Sequence, residues 1–187
     1  MLRRSRGRAG HIKSDLSITQ AEIQNRLTEV NVQIDWQRAF AEQWPICTVE
    51  LHSIGEIRAL YVAWYCGNNG PLNDFVEKDG QQQRAYLVAG AHPVTVGEVA
   101  DNVDAWTEKR NRIGHYAYAF QTSPNPISVS LVSYALPEKR SLILDGNHRA
   151  VAAVLSGKEV TATLIVICGP CDPKALRDLK HWSGKSN

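Results

Sequence analysis

Between residues 127 and 168 the order of apolar runs and breakers leaves few choices of local structure. Ile127 to Leu136 is rich in β-branched and aliphatic residues, Pro137-Glu138-Lys139-Arg140 turns the chain, and Ser141 to Leu144 is a second apolar run. Asp145-Gly146 then breaks the pattern. Asn147 to Ser156 has helical spacing and is closed by Gly157, and Val160 to Cys168 returns to β-branched residues. The expected order is strand, turn, strand, helix, strand.

The break between the second strand and the helix is where chemistry is expected. A strand that passes through Asp145-Gly146 straight into a helix leaves the first helical N–H groups without carbonyl partners, and such a helix start favours an anion. Arg149 can grip phosphate with a planar fork, and His148 stands beside it. A cation in the first helical turn opposes the helix dipole, a local cost that a bound anion would offset. Asn147 reads as the helix N-cap, with a secondary contact to ligand. Asp145 has four readings: a ligand for Mg²⁺, a partner that orients His148, a base toward a hydroxyl, or only the first residue of a tight turn.

The residues Ile143-Leu144-Asp145-Gly146-Asn147-His148-Arg149-Ala150-Val151-Ala152-Ala153, in this strand-to-helix setting, resemble the phosphate-binding core of the ParB/sulfiredoxin superfamily. The resemblance covers residues 127–167, less than a quarter of the chain. It implies an α/β (α+β) fold with a mixed sheet, to which the sequence adds an N-terminal helical portion. It also implies that Gly146, Asn147, His148 and Arg149 hold the phosphates of ATP, ADP or CTP, with Mg²⁺ on Asp145. Sulfiredoxins carry a reactive Cys where this chain has Asn147, which argues against sulfinic-acid reduction. The partitioning proteins add a DNA-binding domain after the motif, and only about twenty residues follow Cys168 here. The free-serine-kinase branch is closest in motif. It implies Asp145, His148 and Arg149 as catalytic residues and an upstream Glu as base, for which Glu50 and Glu56 are the candidates.

Upstream, Thr19-Gln20-Ala21-Glu22 is a capping box, and Ile23, Leu27, Val30, Ile34 and Phe40 predict one long helix to Gln43, ahead of Pro45. Ile46 to Leu51 reads as a strand, Gly55 to Tyr65 as a helix, Gly67 to Pro71 as a loop and Ala85 to Val88 as a short strand. Thr95-Val96-Gly97-Glu98 opens a helix expected to reach Gly114. Asp172 and Pro173 open a final one with Leu176 and Leu179 facing inward. The organisation expected is a basic tail over residues 1–17 and a single domain over 18–187.

Charge adds a separate question. Residues 1–13 hold Arg3, Arg4, Arg6, Arg8 and Lys13 with no acid; these five cations exceed the net charge of +2, so the remainder is net negative. The tail reads either as an arm for nucleic acid or, preferred here, as a solubilising start. A negative body argues against a broad nucleic-acid face. The longest apolar run, Leu164 to Cys168, is too short to span a bilayer, and residues 1–13 lack the apolar stretch of a secretory signal. A cytoplasmic protein without membrane contact is therefore expected, its four cysteines reduced. Cys168-Gly169-Pro170-Cys171 matches a dithiol-exchange motif, but the preferred reading is a Gly-Pro turn between two idle thiols. His52, His92, His115 and His181 show no metal-ligand spacing.

Three functions remain open: an enzyme that transfers or hydrolyses a nucleotide's phosphoryl group, with a small hydroxyl compound as acceptor; a non-catalytic, nucleotide-responsive and DNA-associated module; or a ParB-like nuclease.

Overall fold

The computed structural model describes residues 18–78 and 80–183; the basic tail lies outside them. Two short helices lead the chain, α1 (Gln20–Glu29) and α2 (Trp36–Ala41), followed by β1 (Ile46–Leu51), α3 (Ile54–Arg58) and β2 (Tyr61–Gly67). Then come β3 (Gly70–Pro71), β4 (Phe75–Lys78), β5 (Gln81–Arg84), β6 (His92–Thr95), α4 (Val96–Asp101) and α5 (Arg110–Thr122). The last part is β7 (Ile127–Leu136), β8 (Arg140–Asp145), α6 (Asn147–Leu155) and β9 (Val160–Ile167), ending in a 3-10 turn over Arg177–His181.

The fold is α/β with a mixed sheet and a helical N-terminal part. The described residues form a seven-stranded sheet in the order β1-β9-β7-β8-β2-β3, with β6 also on β2, while β4 and β5 pair as a separate hairpin. β7 is parallel to β9 from Ile127↔Val160 to Tyr134↔Ile167, and antiparallel to β8. β2 runs parallel to β8 for only two pairs, Tyr61↔Leu142 and Val62↔Ile143. That short pairing opens the sheet at the carboxyl end of β8.

Both sheet faces are covered where the central strands carry continuous apolar stretches, Leu142 to Leu144 in β8 and Leu164 to Ile167 in β9, while β7 and β9 begin with alternating residues. Successive residues point to opposite faces. Leu131, Ile143 and Leu164 join the core under α3 to α6. Val132, Leu142, Leu144 and Ile165 join a second core with Ile23 and Leu27 of α1, Trp44, Leu176, Leu179 and Trp182. No helix of the described residues is long and apolar enough to cross a membrane.

Five expectations from the sequence are corrected. The single first helix is two, because Asn31 takes φ 56° after α1 and Ile34 pairs in a bridge with Leu176. The helix expected from Gly55 to Tyr65 is α3 plus the strand β2: Ile57, Leu60, Tyr61 and Trp64 fit helical spacing, but pairing with β6 and β8 claims Tyr61 onward. The helix opened by Thr95 stops at Asp101, and α5 begins anew at Arg110. The final helix is replaced by a turn, since Leu176 is extended (φ −152°, ψ 121°) at its bridge to Ile34; Leu176 and Leu179 are nonetheless buried. Ala85 to Val88 is likewise a 3-10 turn, over Ala85–Leu87, rather than a strand.

Candidate functional site

At the end of β8 the chain must reverse its backbone twist within one residue to enter α6. Gly146 does so at φ 98°, and a Cβ there would lie 2.5 Å from Leu131 Cδ2. Only glycine meets both demands. The Ala150 N–H makes the first helical bond, to the Gly146 carbonyl at 2.9 Å, so the N–H groups of Asn147, His148 and Arg149 precede the ladder.

Gly146, not Asn147, occupies the N-cap position. Asn147 is instead the first helical residue, and its side-chain oxygen accepts from the Ala63 N–H at 3.3 Å. It continues the pairing of β2 past the point where β8 ends. This replaces the expected capping role: the side-chain oxygen satisfies the Ala63 N–H of the neighbouring strand rather than an N–H of its own helix.

Asp145 is committed to two arginines. Its Oδ2 accepts from Arg26 Nε at 2.6 Å, in an ion pair that also brings Nη2 to 2.6 Å, and from Arg149 Nη2 at 3.1 Å. Arg26 belongs to α1, so this carboxylate ties the N-terminal helix to the motif. Two guanidinium groups on one oxygen leave a divalent cation no favourable approach from that side. Among the described residues no group of three or more His, Cys, Asp or Glu is placed to hold a metal ion. The donor set at Asp145 thus suits a guanidinium clamp rather than Mg²⁺.

His148 packs edge-on against Trp64, with ring centroids 4.9 Å apart. Burial, with help from the nearby charges of Arg112 and Lys109, pushes its pKa down to about 4. The imidazole is therefore neutral at pH 7, able to donate from one nitrogen and accept at the other.

These residues open onto a cleft of about 610 Å³ whose walls include Trp64, Lys109, Arg112, Tyr116, His148 and Arg149. Lys109 Nζ is 2.7 Å from Asp74 Oδ1, and its side chain is only 11% exposed. Arg112 forms no ion pair among the described residues. Glu29, at the end of α1, is the third acid of the wall, after Asp74 and Asp145. An entering anion would find Arg112 free and would compete with carboxylates for Lys109 and Arg149.

The two upstream glutamates are elsewhere. Glu56 is consumed by a capping box, its Oε2 accepting from the Ser53 N–H and hydroxyl and from the His52 N–H, which holds its carboxyl below the usual range. Glu50 is exposed on the edge strand β1, 3.7 Å from His52. Neither lines the cleft. Reading the sequence missed Arg26, Trp64, Lys109 and Arg112. Trp64 was hidden by the helix expected over β2. Lys109-Arg110-Asn111-Arg112 did carry a signal, the one already noted for Arg149: cations at a helix start with no acid in the first turn.

The Cys168-Gly169-Pro170-Cys171 string is a packed turn. A Cβ on Gly169 would collide with Tyr134 and Trp44, and the Tyr134 hydroxyl donates to the Pro170 carbonyl at 3.1 Å. The nearest thiol contact of Cys168 is with Cys47, Sγ to Sγ 3.7 Å. Burial and that neighbour push the Cys168 thiol up to about 11, opposite to an exchange-active thiol.

No family model matches the chain, and neither does any curated protein or solved structure.

Proposed function

We propose that this is a cytoplasmic enzyme that binds a nucleotide by its phosphates in the cleft and transfers or hydrolyses the terminal phosphoryl group. One observation carries the reading: the start of α6, Arg149, Arg112 and Lys109 converge on a single cleft of about 610 Å³. That volume lies within the range of roughly 300–1,000 Å³ for small-molecule sites. Trp64 and Tyr116 supply aromatic surface beside the cations. Phosphoryl transfer asks a protein chiefly for positioning and for positive charge around the equatorial oxygens. Arg149 and Arg112 meet that need, and neutral His148 offers a hydrogen bond without adding charge.

Titration with ATP, ADP and CTP, with and without Mg²⁺, tests the reading by calorimetry and by release of phosphate. Arg149→Ala is expected to weaken binding at least about tenfold, the loss of one charge-assisted pair. Full binding by that variant would move the phosphate site elsewhere.

A second reading has its own observation. The Asp145 oxygen that holds Arg149 also holds Arg26 of α1. An anion that recruits Arg149 would leave Asp145 to Arg26 alone and so change the hold on α1, directly after the basic tail. The chain would then be a nucleotide-responsive module whose residues 1–13 touch DNA. Salt-sensitive DNA binding that changes with nucleotide and disappears when residues 1–13 are removed would favour it.

A further inference from the structure

A smaller cavity of about 200 Å³ adjoins the cleft. The two share a wall that includes Trp64, Leu144 and Asn147, so whatever fills one lies beside whatever fills the other. At about 30 Å³ for a water-sized group, the smaller cavity holds roughly seven such groups, too few for a nucleoside.

Its polar lining includes Asp178, a half-buried carboxylate in the turn Arg177–His181, together with Asp74, Arg84 and Asn147. Asp178 Oδ1 accepts from the Tyr65 hydroxyl at 2.5 Å. Among the described residues no Lys, Arg or His forms an ion pair with it. With the Tyr65 hydroxyl and its own backbone N–H as donors, the carboxylate still has acceptor capacity to spare on the cavity it lines. Arg84 lines the same cavity and its charge with that of Lys180 offsets Asp178, while Asp74, the cavity's other carboxylate, is already paired with Lys109, so an ammonium group gains little here. A neutral hydroxyl suits it better.

We infer that this cavity is the acceptor subsite: it takes a small hydroxyl-bearing molecule, or water, whose O–H donates to Asp178, and Asp178 is the base of the transfer. The inference rests on the phosphate reading above. In the step, the acceptor O–H bond breaks and its proton passes to the Asp178 carboxylate. The acceptor oxygen bonds to the terminal phosphorus of a nucleoside triphosphate. The bridging P–O bond breaks, and the nucleoside diphosphate leaves with its electron pair. Asp178 thus fills the place for which Glu50 and Glu56 were the candidates.

The test uses the full chain and three variants, Arg149→Ala, Asp178→Asn and Tyr65→Phe, each first checked for a melting temperature near the parent's. Binding of inorganic phosphate and of ATP is measured by calorimetry. Phosphoryl transfer from ATP is then followed with water alone and with glycerol or lactate added. The expected result is that Asp178→Asn binds phosphate and ATP within about twofold of the parent, while kcat falls at least about 100-fold with little change in KM. Tyr65→Phe removes a hydrogen bond that favours the Asp178 carboxylate, so the acidic limb of its rate profile moves to higher pH. Facing Asp178 or lining its cavity are Tyr65 of β2, Asp74 before β4, Arg84 at the end of β5, Tyr86 just after it, and Lys180 and His181 of its own turn, and none is altered in Asp178→Asn. If Asp178→Asn keeps kcat within threefold, or if phosphate and ATP bind but no acceptor, water included, is phosphorylated, the assignment is overturned and the phosphate grip stands. If the parent chain binds neither phosphate nor ATP, the underlying reading falls as well.

Discussion

Arg149 is the motif's cation for an anion, yet it leans on Asp145 at 3.1 Å. The carboxylate and the ligand are therefore rivals. Asp145→Asn removes the competing charge, so phosphate affinity should rise several-fold while the loss of two charge-assisted contacts lowers stability by about 1 to 3 kcal/mol. Calorimetry and thermal unfolding of that variant measure both; weaker phosphate binding would show instead that Asp145 serves the ligand. His148 gives a pH signature. Its folded pKa of about 4 lies below the ordinary 6.5, so between these values the unfolded chain binds the extra proton. Its contribution is intact above pH 6.5 and is lost as pH falls toward 4. Urea midpoints at pH 7, 6 and 5 should fall more steeply for the parent than for His148→Gln, with His181, also lowered by burial, acting in the same direction in both. Bound phosphate should raise the His148 pKa, readable from its ring proton shifts.

At the level of elements, Gly146 is the joint that points α6 into the cleft. Gly146→Ala would place a methyl 2.5 Å from Leu131 Cδ2 at a positive φ, and a loss of about 2 to 4 kcal/mol is expected, measured as a drop in melting temperature. The region from Ile127 to Ile167 is legible in the sequence because alternating starts in β7 and β9 and buried apolar stretches such as Leu142 to Leu144 and Leu164 to Ile167 mark the strands, and Asp-Gly and Gly157 punctuate it. Gly55 to Tyr65 is not legible, since the same apolar spacing satisfies a helix and a strand, and only the distant partners β6 and β8 decide. The site divides in the same way. Asp145 to Arg149 are contiguous and readable, whereas Arg26, the pair Lys109 and Arg112, and Asp178 reach the clamp, the cleft and the adjoining cavity from three other segments. A local pattern cannot encode such long-range neighbours.

For the whole molecule, the grip is assembled from parts far apart in the chain. Arg26 meets Asp145 across 119 residues and Arg38 meets Asp172 across 134. Non-local contacts are slow to form, because loop closure must be offset before they contribute. In refolding from denaturant, most helical far-UV signal should return before the capacity to bind phosphate, a lag that stopped-flow ellipticity and binding assays would reveal. Simultaneous recovery would mean that the cleft forms with the first collapse. The sheet order sharpens the point. β9 is the last strand made, yet it sits between β1 and β7, and β1 pairs with no other strand of the described residues. During synthesis β1 must therefore wait, with Ile46, Val49 and Leu51 lacking their partner, until more than a hundred further residues have emerged. A newborn chain of this kind carries an open, apolar strand edge through most of its translation, the kind of surface that chaperones cover and that drives aggregation when they do not.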